Sequence, residues 1–263
     1  MCLIVLAWQV HPDYPLVVAA NRDEFFARPA AAAAFWSDAP DVLAGRDLEA
    51  GGTWLGVTRR QRFSALTNYR EGGRKLVGTR SRGSLVADFL AAEIDPQDYL
   101  AGLAARRSDY NGYNLFVGDG RRLAYCTNRG TSLDPRWLSP GIYGLSNHLL
   151  DTPWPKLAAA KASFAAALAQ LPASAPFFEL LADREIIAET ELPATGVALE
   201  WERVLSAIFV ASSHYGTRAS TLLTMHRSGV VALVERSFGP GAIPLGEVCQ
   251  SFESAPSVLG NVH

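Results

Sequence analysis

The sequence predicts an α+β fold in which antiparallel sheets pack against helices. Apolar runs come in neighbouring pairs joined by short turns, and helical patterns lie between those pairs. Strands that alternate singly with helices would instead indicate a doubly wound parallel sheet. The chain has 263 residues, of which 49% are hydrophobic and 19% charged, as in ordinary globular proteins. We therefore expect one domain that spans residues 1–263 and buries a full core.

Four hairpins are expected along the chain. The first joins residues 3–10 to 16–20 around the proline-rich turn HPDYP, and the second joins residues 53–58 to 62–68 across RRQ. In the third, the dipeptide DG lies between the strand-like runs of YNGYNLFVGDGRRLAYCTNRG. The clearest is the fourth, STLLTMHRSGVVALVERSF, in which two apolar runs flank SG. These pairs are the strands of the expected antiparallel sheets.

Helical patterns lie between the hairpins. They cover residues 84–92, 96–106, 153–171, 176–183 and 199–206. Ser81 is the expected N-cap of the first helix and Asp151 that of the third, because short polar side chains accept hydrogen bonds from the first turn. Prolines 153 and 155 are compatible with the first turn of that third, Ala-rich helix.

Composition and charge exclude several classes of function. Lys and Arg are spread along the chain without a dense block and the formal net charge is -2, so no nucleic-acid partner is expected. No stretch approaches the roughly 20 apolar residues that span a bilayer. The N-terminus lacks the basic region of a secretory signal. We therefore expect a cytoplasmic protein without an integral membrane segment, and the sequence leaves its oligomeric state open.

The three cysteines are too few and too far apart to suggest a disulfide framework or a metal site. They lie at positions 2, 126 and 249, and the histidines show no metal-ligand spacing either. We expect no metal and no resident cofactor. Cys126 and Cys249 are expected to be small core or edge residues, which leaves Cys2 to be explained.

A cysteine at position 2 becomes the first residue if Met1 is removed, and a small second residue favours that removal. The pKa of a free α-amine is about 7.7 to 8.0, so the amine can accept the thiol proton at little cost. One residue then supplies both nucleophile and base. The first hairpin should return the end of its second strand beside Cys2, where Asp23 can orient the amine. The alternative is that Cys2 is a small buried residue and that NRDE is a polar turn.

Several stretches of the sequence together resemble the NRDE family. They are ANRDEFFARP, AGRDLEAGGTWLGV, ALTNYRE, TRSRGSLVADFL, YNGYNLFVGD, GLSNHLLDTPWPK and YGTRASTLL, in order over nearly the whole chain. The family includes the transport-and-Golgi-organisation type 2 proteins of eukaryotes and many bacterial members. It looks like a branch of the N-terminal nucleophile hydrolases. The resemblance thus implies an αββα four-layer sandwich, with two stacked antiparallel sheets between helical layers.

A more distant similarity links the chain to choloylglycine hydrolases and penicillin V acylases. By this similarity Cys2 is the nucleophile and Asp23 holds its α-amine. Asn68 in ALTNYRE and Asn147 in GLSNHLL would build an oxyanion site, where preorganised amide donors can contribute about 3 to 4 kcal/mol. Arg218 in YGTRAS is the best match to a late arginine of these enzymes. The similarity therefore implies five catalytic candidates.

One position departs from the pattern of those hydrolases. They carry an arginine directly before the Asn-x-Asp motif that begins here at Asn21, whereas this chain has Ala20 there and an arginine inside the motif, Arg22. Adjacent strand residues face opposite sides, so Arg22 would point away from Cys2. An ion pair of Arg22 with Glu24 at a sheet edge is an equally supported alternative.

Other polar and aromatic side chains are candidates to line a pocket. The candidate binding residues are Asn21, Arg22, Trp54, Asn114, His148 and His214. The RSRG stretch at residues 80–83 could face an anionic ligand beside a helix N-terminus, or be a capped helix with solvated arginines. Either of the two histidines could ligate a haem iron if the protein binds haem, or simply be hydrogen-bonded. Trp54 could wall the pocket or pack a strand turn.

Two hypotheses of different class follow. The first is a cysteine N-terminal nucleophile hydrolase that cleaves an amide, or a thioester, of a small acyl compound. The second is a non-catalytic protein that binds or traffics haem or an acyl lipid on the same fold, roles that the resemblance also implies. The polar positions of the motif favour the hydrolase, with a small-molecule acyl substrate and no cofactor.

Overall fold

The computed structural model describes residues 2–72 and 78–255 of the chain. Its strands are β1 (Cys2–Trp8), β2 (Leu16–Phe25), β3 (Ala30–Phe35), β4 (Val42–Asp47), β5 (Leu55–Thr58), β6 (Phe63–Asn68), β7 (Tyr113–Gly118), β8 (Leu123–Thr127), β9 (Arg136–Trp137), β10 (Gly141–Leu145), β11 (Tyr215–Met225), β12 (Val230–Phe238) and β13 (Pro244–Glu253). Its α-helices are α1 (Gly83–Ala91), α2 (Pro96–Ala104), α3 (Pro155–Leu168), α4 (Ala175–Leu181) and α5 (Leu199–Val204).

The strands form two stacked antiparallel sheets between helices. Within the described residues, the first sheet has six strands in the order β10-β1-β2-β11-β12-β13. The second has seven in the order β3-β4-β5-β6-β7-β8-β9. Helices α3 and α4 pack on the outer face of the first sheet, and α1 packs on the second. The layers therefore run in the αββα order that the sequence resemblance implied.

Strand β1 is apolar along its whole length because both of its faces are buried. Ile4, Leu6 and Trp8 point into the core between the two sheets. Leu3, Val5 and Ala7 point the other way, into a second core beneath α3 and α4. A strand covered on both faces loses the alternation of apolar and polar residues that marks a half-exposed strand. The polar residues of the neighbouring strand β2 are likewise divided between the side that faces the other sheet and the side that faces the helices.

The first hairpin is confirmed, but its second strand is longer than predicted. Strand β2 continues through NRDE to Phe25, so the interpretation of NRDE as a polar turn is wrong. Its backbone stays paired on both sides, with Arg22 opposite Cys2 and Asp23 opposite Thr217. Ladder hydrogen bonds on both edges satisfy the polar backbone there. The motif is therefore held in the sheet rather than in a loop.

Both predicted helix caps are wrong. Arg82 is the N-cap residue of α1, and its side chain makes no cap hydrogen bond. Trp154 is the N-cap residue of α3. Asp151 has a positive φ of 58° and accepts a hydrogen bond from the Gly144 N–H at 2.8 Å, so its carboxylate closes the turn after β10. The other three predicted hairpins are confirmed by β5–β6, β7–β8 and β11–β12.

Candidate active site

Cys2 lies at the start of β1, directly opposite Arg22 on β2. Directly opposite residues of an antiparallel pair project from the same face of the sheet. Cys2 belongs to the core between the sheets and is 7% exposed. Arg22 therefore points toward Cys2, and the expectation that it points away is wrong. The arginine inside the motif lies on the same face as position 20, because strand side chains repeat every second residue.

The electrostatic surroundings of the Cys2 thiol act in both directions. Burial raises the pKa of the thiol, and the Asp23 carboxylate raises it further. The Arg22 guanidinium lowers the pKa because a nearby cation favours the thiolate, and the Asp23 backbone N–H hydrogen-bonds to the sulfur. Arg22 Nη2 lies 3.8 Å from Glu24 Oε2, so the expected ion pair is present but long. Arg22 is therefore available to act on the thiol.

We expect Arg22→Gln to slow alkylation of Cys2 by iodoacetamide near pH 7 about three- to tenfold. Removing the cation raises the pKa of the thiol, which reduces the thiolate fraction. The measurement is the pH dependence of alkylation, followed on the peptide that contains Cys2. Arg236→Gln is the control, since Arg236 is an exposed residue of β12 paired with Glu247. Identical midpoints for wild type and Arg22→Gln would contradict the assignment.

Asp23 projects to the opposite side of the first sheet, toward the helices. Its Oδ1 accepts a hydrogen bond from Thr217 Oγ1 at 2.7 Å, and its carbonyl oxygen accepts one from the Tyr215 hydroxyl at 3.1 Å. Thr217 Oγ1 in turn accepts from the Val210 N–H at 2.9 Å. Burial raises the pKa of the Asp23 carboxyl, and Lys156 and the Thr217 hydrogen bond lower it. The carboxylate is thus fixed beside the first residues of β1.

Two further buried cations lie near Asp23, and the sequence analysis assigned neither. Lys156, at the start of α3, is 5% exposed, and its Nζ donates to the Leu205 carbonyl oxygen at 2.6 Å. Arg70 forms a buried ion pair with Glu202 of α5 at 2.5 Å. Burial lowers the pKa of Lys156 to about 8, and Asp23 opposes this shift. The only sequence signal for Lys156 was its place at the end of the GLSNHLLDTPWPK stretch.

Asn68 and Asn147 are brought together, but they play different parts. Asn68 ends β6 and lines the cavity described below. Asn147 is fully buried, and its Nδ2 donates to the Asn68 carbonyl oxygen at 3.0 Å. Within the described part of the chain its Oδ1 is buried without a hydrogen-bond partner, and its φ is 49°. Leu145 pairs with Ile4, so continuing that register places Asn147 level with Cys2.

A cavity of about 870 Å³ lies beside Cys2. Among the residues that line it are Cys2, Arg22, Trp54, Asn68, Arg82 and Arg218. Trp54 is therefore at the pocket, as the sequence suggested. Gly52 lets the chain before β5 approach Gly83, a residue of the wall, because a Cβ at position 52 would come within 2.5 Å of the Gly83 backbone. This close approach holds the start of α1, and with it the RSRG stretch, against the cavity.

Two arginines of the cavity wall make no ion pair with any described carboxylate. Arg82 donates from Nη1 to the Gly112 carbonyl oxygen at 3.2 Å, and burial lowers its pKa. Arg218 lies at a bulge of β11 and donates from Nη1 to the carbonyl oxygens of Phe25 and Arg28. Both side chains therefore keep their positive charge without a neutralising carboxylate in contact. The same wall also carries the carboxylates of Glu24, Asp47 and Glu235, so these two arginines are the places where it could accept an anionic group.

Asn21 and Asn114 are structural rather than part of the cavity. Asn21 Nδ2 donates to the carbonyl oxygens of Leu181 and Ile208, at 2.8 and 2.9 Å, which ties β2 to the helical layer. Asn114 Nδ2 donates to the His148 carbonyl oxygen at 2.9 Å. Both amides are fully buried and face away from the cavity lining. Their expected role in binding is therefore not supported by their positions.

The two candidate histidines also lie away from the cavity lining. His148 bonds through Nδ1 to Thr152 Oγ1 at 2.8 Å and packs between the rings of Tyr69 and Trp154. His214 is exposed just before β11. Neither imidazole lines the cavity wall, whereas Cys2 does, so the candidate site is centred on Cys2.

The two stacked antiparallel sheets with helices on both outer sides make this an αββα sandwich protein, with a cysteine at the start of an interior strand. No helix among the described residues is long and apolar enough to cross a bilayer. The chain belongs to the Transport and Golgi organisation 2 family, whose model matches residues 1–240.

Relatives from animals match nearly the whole chain. The Transport and Golgi organization protein 2 homolog of Bos taurus is 40% identical over 260 residues, covering 90% of this chain and 93% of its own. The homolog of Homo sapiens is 37% identical with the same coverage. Among solved structures, a Caenorhabditis elegans ortholog of N-acylethanolamine-hydrolyzing acid amidase matches with a TM-score of 0.44 and 12% identity, over 69% of this chain and 86% of that chain. That last likeness is too distant to support a function.

Proposed function

We propose that this protein is an N-terminal-cysteine hydrolase that cleaves an amide or thioester bond of a small acyl compound. The observation that carries the proposal is the position of Cys2, whose thiol lines the cavity opposite Arg22 and beside the Asp23 backbone. Removal of Met1 would give Cys2 a free α-amine next to a buried carboxylate. Nucleophile, base and orienting group then come from two neighbouring strands.

In the first half of the reaction the Cys2 sulfur attacks the substrate carbonyl carbon. The thiol proton passes to the α-amine, and the carbonyl oxygen becomes an oxyanion. Collapse of this intermediate breaks the C–N bond and leaves the acyl group on sulfur as a thioester. The α-ammonium returns the proton to the departing nitrogen. With a thioester substrate, a thiol leaves in place of the amine.

In the second half a water molecule attacks the acyl carbon of the enzyme thioester. The neutral α-amine takes a proton from the water, the C–S bond breaks, and the proton returns to the Cys2 sulfur. The products are a carboxylic acid and the free thiol. Arg22 favours both reactant and leaving thiolate because its guanidinium lowers the pKa of Cys2.

The two asparagines support different steps of this proposal. Asn68 lines the cavity, so its side-chain amide is the oxyanion donor that we propose. Asn147 lies behind it, and its Nδ2 fixes the Asn68 backbone. The buried Oδ1 of Asn147 comes level with Cys2, which makes it a suitable acceptor for the new α-amine. An unpaired buried acceptor costs about 1 to 3 kcal/mol, and processing would remove that cost.

A second candidate is a carrier that binds an acyl lipid in the same cavity without cleaving it. Burial raises the pKa of the Cys2 thiol, and with Met1 retained its nitrogen is a peptide nitrogen that cannot act as base. Haem binding in this cavity would have to use Cys2, because His148 and His214 do not line the wall. The carrier is therefore the outcome expected if the chain keeps Met1.

The proposal is tested by trapping the acyl-enzyme. Untagged protein is mixed with a panel of acyl p-nitroanilides and acyl N-acetylcysteamine thioesters, some of which carry a carboxylate, and quenched in acid. We expect intact mass spectrometry to show a chain without Met1, and an added acyl mass on the peptide that starts at Cys2. Retained Met1, or binding of the panel without an acyl adduct, would overturn the hydrolase in favour of the carrier.

A further inference from the structure

The buried Lys156 ammonium lies behind the nucleophile, and no step of the proposed reaction uses it. Helix α3 packs on β1 and β10, which places the start of the helix beneath the first sheet. Nζ donates to the Leu205 carbonyl oxygen, and Lys156 forms no direct ion pair with a carboxylate of the described chain. Burying a lysine is costly unless its charge is compensated. A nearby charge of opposite sign is therefore needed to explain the residue.

Among the acidic groups near Lys156, Asp23 has the largest effect in raising the pKa of the lysine. Lys156 likewise stabilises the ionised form of the Asp23 carboxylate, more strongly than Arg70 does. Asp23 faces the helical layer from β2 and is held by Thr217, which accepts a hydrogen bond from the Val210 N–H. Lys156 reaches the same 205–210 segment through the Leu205 carbonyl oxygen, so both buried side chains lie against one segment of the chain. The titratable and charged groups around this space are Cys2 on β1, Tyr215 on β11, Arg70 after β6 and Glu202 on α5, with Arg22, Glu24 and Arg82 on the cavity side.

We propose that Lys156 is a positioning residue whose buried ammonium, without a direct ion pair to Asp23, offsets the effect of that carboxylate on the α-amine of processed Cys2 and thereby keeps that amine neutral near pH 7. The inference rests on the proposed function, because it concerns the base of that reaction. Asp23 alone would hold the amine as an ammonium, which cannot accept the thiol proton. A second cation in the same buried region offsets this effect.

The direction of the effect follows from the sign of the charges. A neighbouring positive charge disfavours a second cation, so Lys156 lowers the pKa of the α-amine, whereas Asp23 raises it. Lys156 also favours the thiolate of Cys2, because each acts on the other with opposite charge. The first proton lost from the coupled thiol and ammonium pair therefore leaves at lower pH when Lys156 is charged. Burial lowers the pKa of Lys156 to about 8, so the charge that carries this effect is present below that pH.

The test is the pH dependence of Cys2 alkylation by iodoacetamide in the processed, full-length protein. Adducts are counted on the peptide that starts at Cys2, which separates it from Cys249. We expect Lys156→Met to move the alkylation midpoint upward by about one pH unit, because a buried charge is removed from the coupled pair. Lys156→Arg should restore the wild-type midpoint, since it keeps the charge.

Lys161→Met is the matched control, because Lys161 lies on the same helix but pairs with Asp151 at 2.6 Å. It should leave the midpoint unchanged. Lys156→Gln provides a second neutral variant that can still donate to the Leu205 carbonyl oxygen. A folded Lys156→Met or Lys156→Gln protein with the wild-type midpoint overturns the inference. A merely structural role would lower the amount of folded protein without moving the midpoint.

The readout separates this inference from the hydrolase proposal, since alkylation needs no substrate. A wild-type protein that has lost Met1 but forms no acyl adduct overturns the hydrolase, while a shifted midpoint still supports the electrostatic role of Lys156. An acyl adduct together with unshifted midpoints does the reverse. Retention of Met1 overturns both, because the α-amine of Cys2 would then not exist.

Discussion

Cys2→Ala abolishes turnover of any substrate found in the acyl panel, by at least about 10³-fold in kcat, while ligand binding persists. Removing the nucleophile of a covalent mechanism removes the whole catalytic unit, and residual rates then come from binding alone. The substitution deletes only the sulfur atom of a buried side chain, so the cavity and its arginines stay in place. The measurement is kcat together with the Kd of a non-cleaved analogue.

Cys249→Ala is the matched control, because Cys249 is an exposed cysteine of β13. Its kcat should equal that of the wild type. Equal turnover by wild type and Cys2→Ala would show that the thiol takes no covalent part, and the acyl-lipid carrier would then be the better description.

Glu202→Gln lowers the free energy of unfolding by about 3 to 5 kcal/mol. The side chains of Arg70 and Glu202 are only 3% and 4% exposed, so the substitution leaves a buried guanidinium without this carboxylate. Glu202 Oε1 accepts hydrogen bonds from the Thr195 N–H and hydroxyl, which the amide oxygen of Gln can still accept, whereas the amide NH2 group would replace the Oε2 that faces Arg70. The measurement is urea unfolding followed by circular dichroism.

The control is Glu247→Gln, which breaks the exposed pair of Arg236 and Glu247. Their side chains are 44% and 43% exposed, so the free energy of unfolding should change by about 1 kcal/mol or less. If both variants lowered the free energy of unfolding by similar amounts, burial would not determine how much the Arg70–Glu202 pair contributes to stability.

The strongly patterned hairpins could be predicted from the sequence, whereas the less regular strands could not. The turns HPDYP, DG and SG separate clear apolar runs, and β1–β2, β7–β8 and β11–β12 form there. Strand β3 is an alanine run of low strand propensity, and its pairing with β4 holds it extended. Strand β13 lies at an exposed sheet edge and is mostly exposed, so no buried face marks it.

The sequence predicts which residue lies next to Cys2, but it does not predict the buried residues behind the first sheet. Similar strand lengths were enough to bring Asp23 back beside Cys2, as the ladder of β1 and β2 confirms. The direction of Arg22 depends on whether Cys2 pairs with position 22 or 23, which a sequence does not specify. Lys156 reaches the site from a helix far along the chain. Such contacts depend on the packing of α3 on the first sheet, not on any local pattern.

Because Arg22 and Asp23 project from opposite faces of β2, the length of the HPDYP turn decides which of these two side chains lies beside the Cys2 thiol. In the native register the thiol shares its face with the guanidinium of Arg22, and the carboxylate of Asp23 occupies the reverse face. Deleting or adding one turn residue would exchange those faces if β1 stayed in place. The number of residues in this turn therefore decides whether the thiol lies beside a guanidinium or beside a carboxylate. The length of the turn is constrained by the site in the same way as the identity of the residues in the motif.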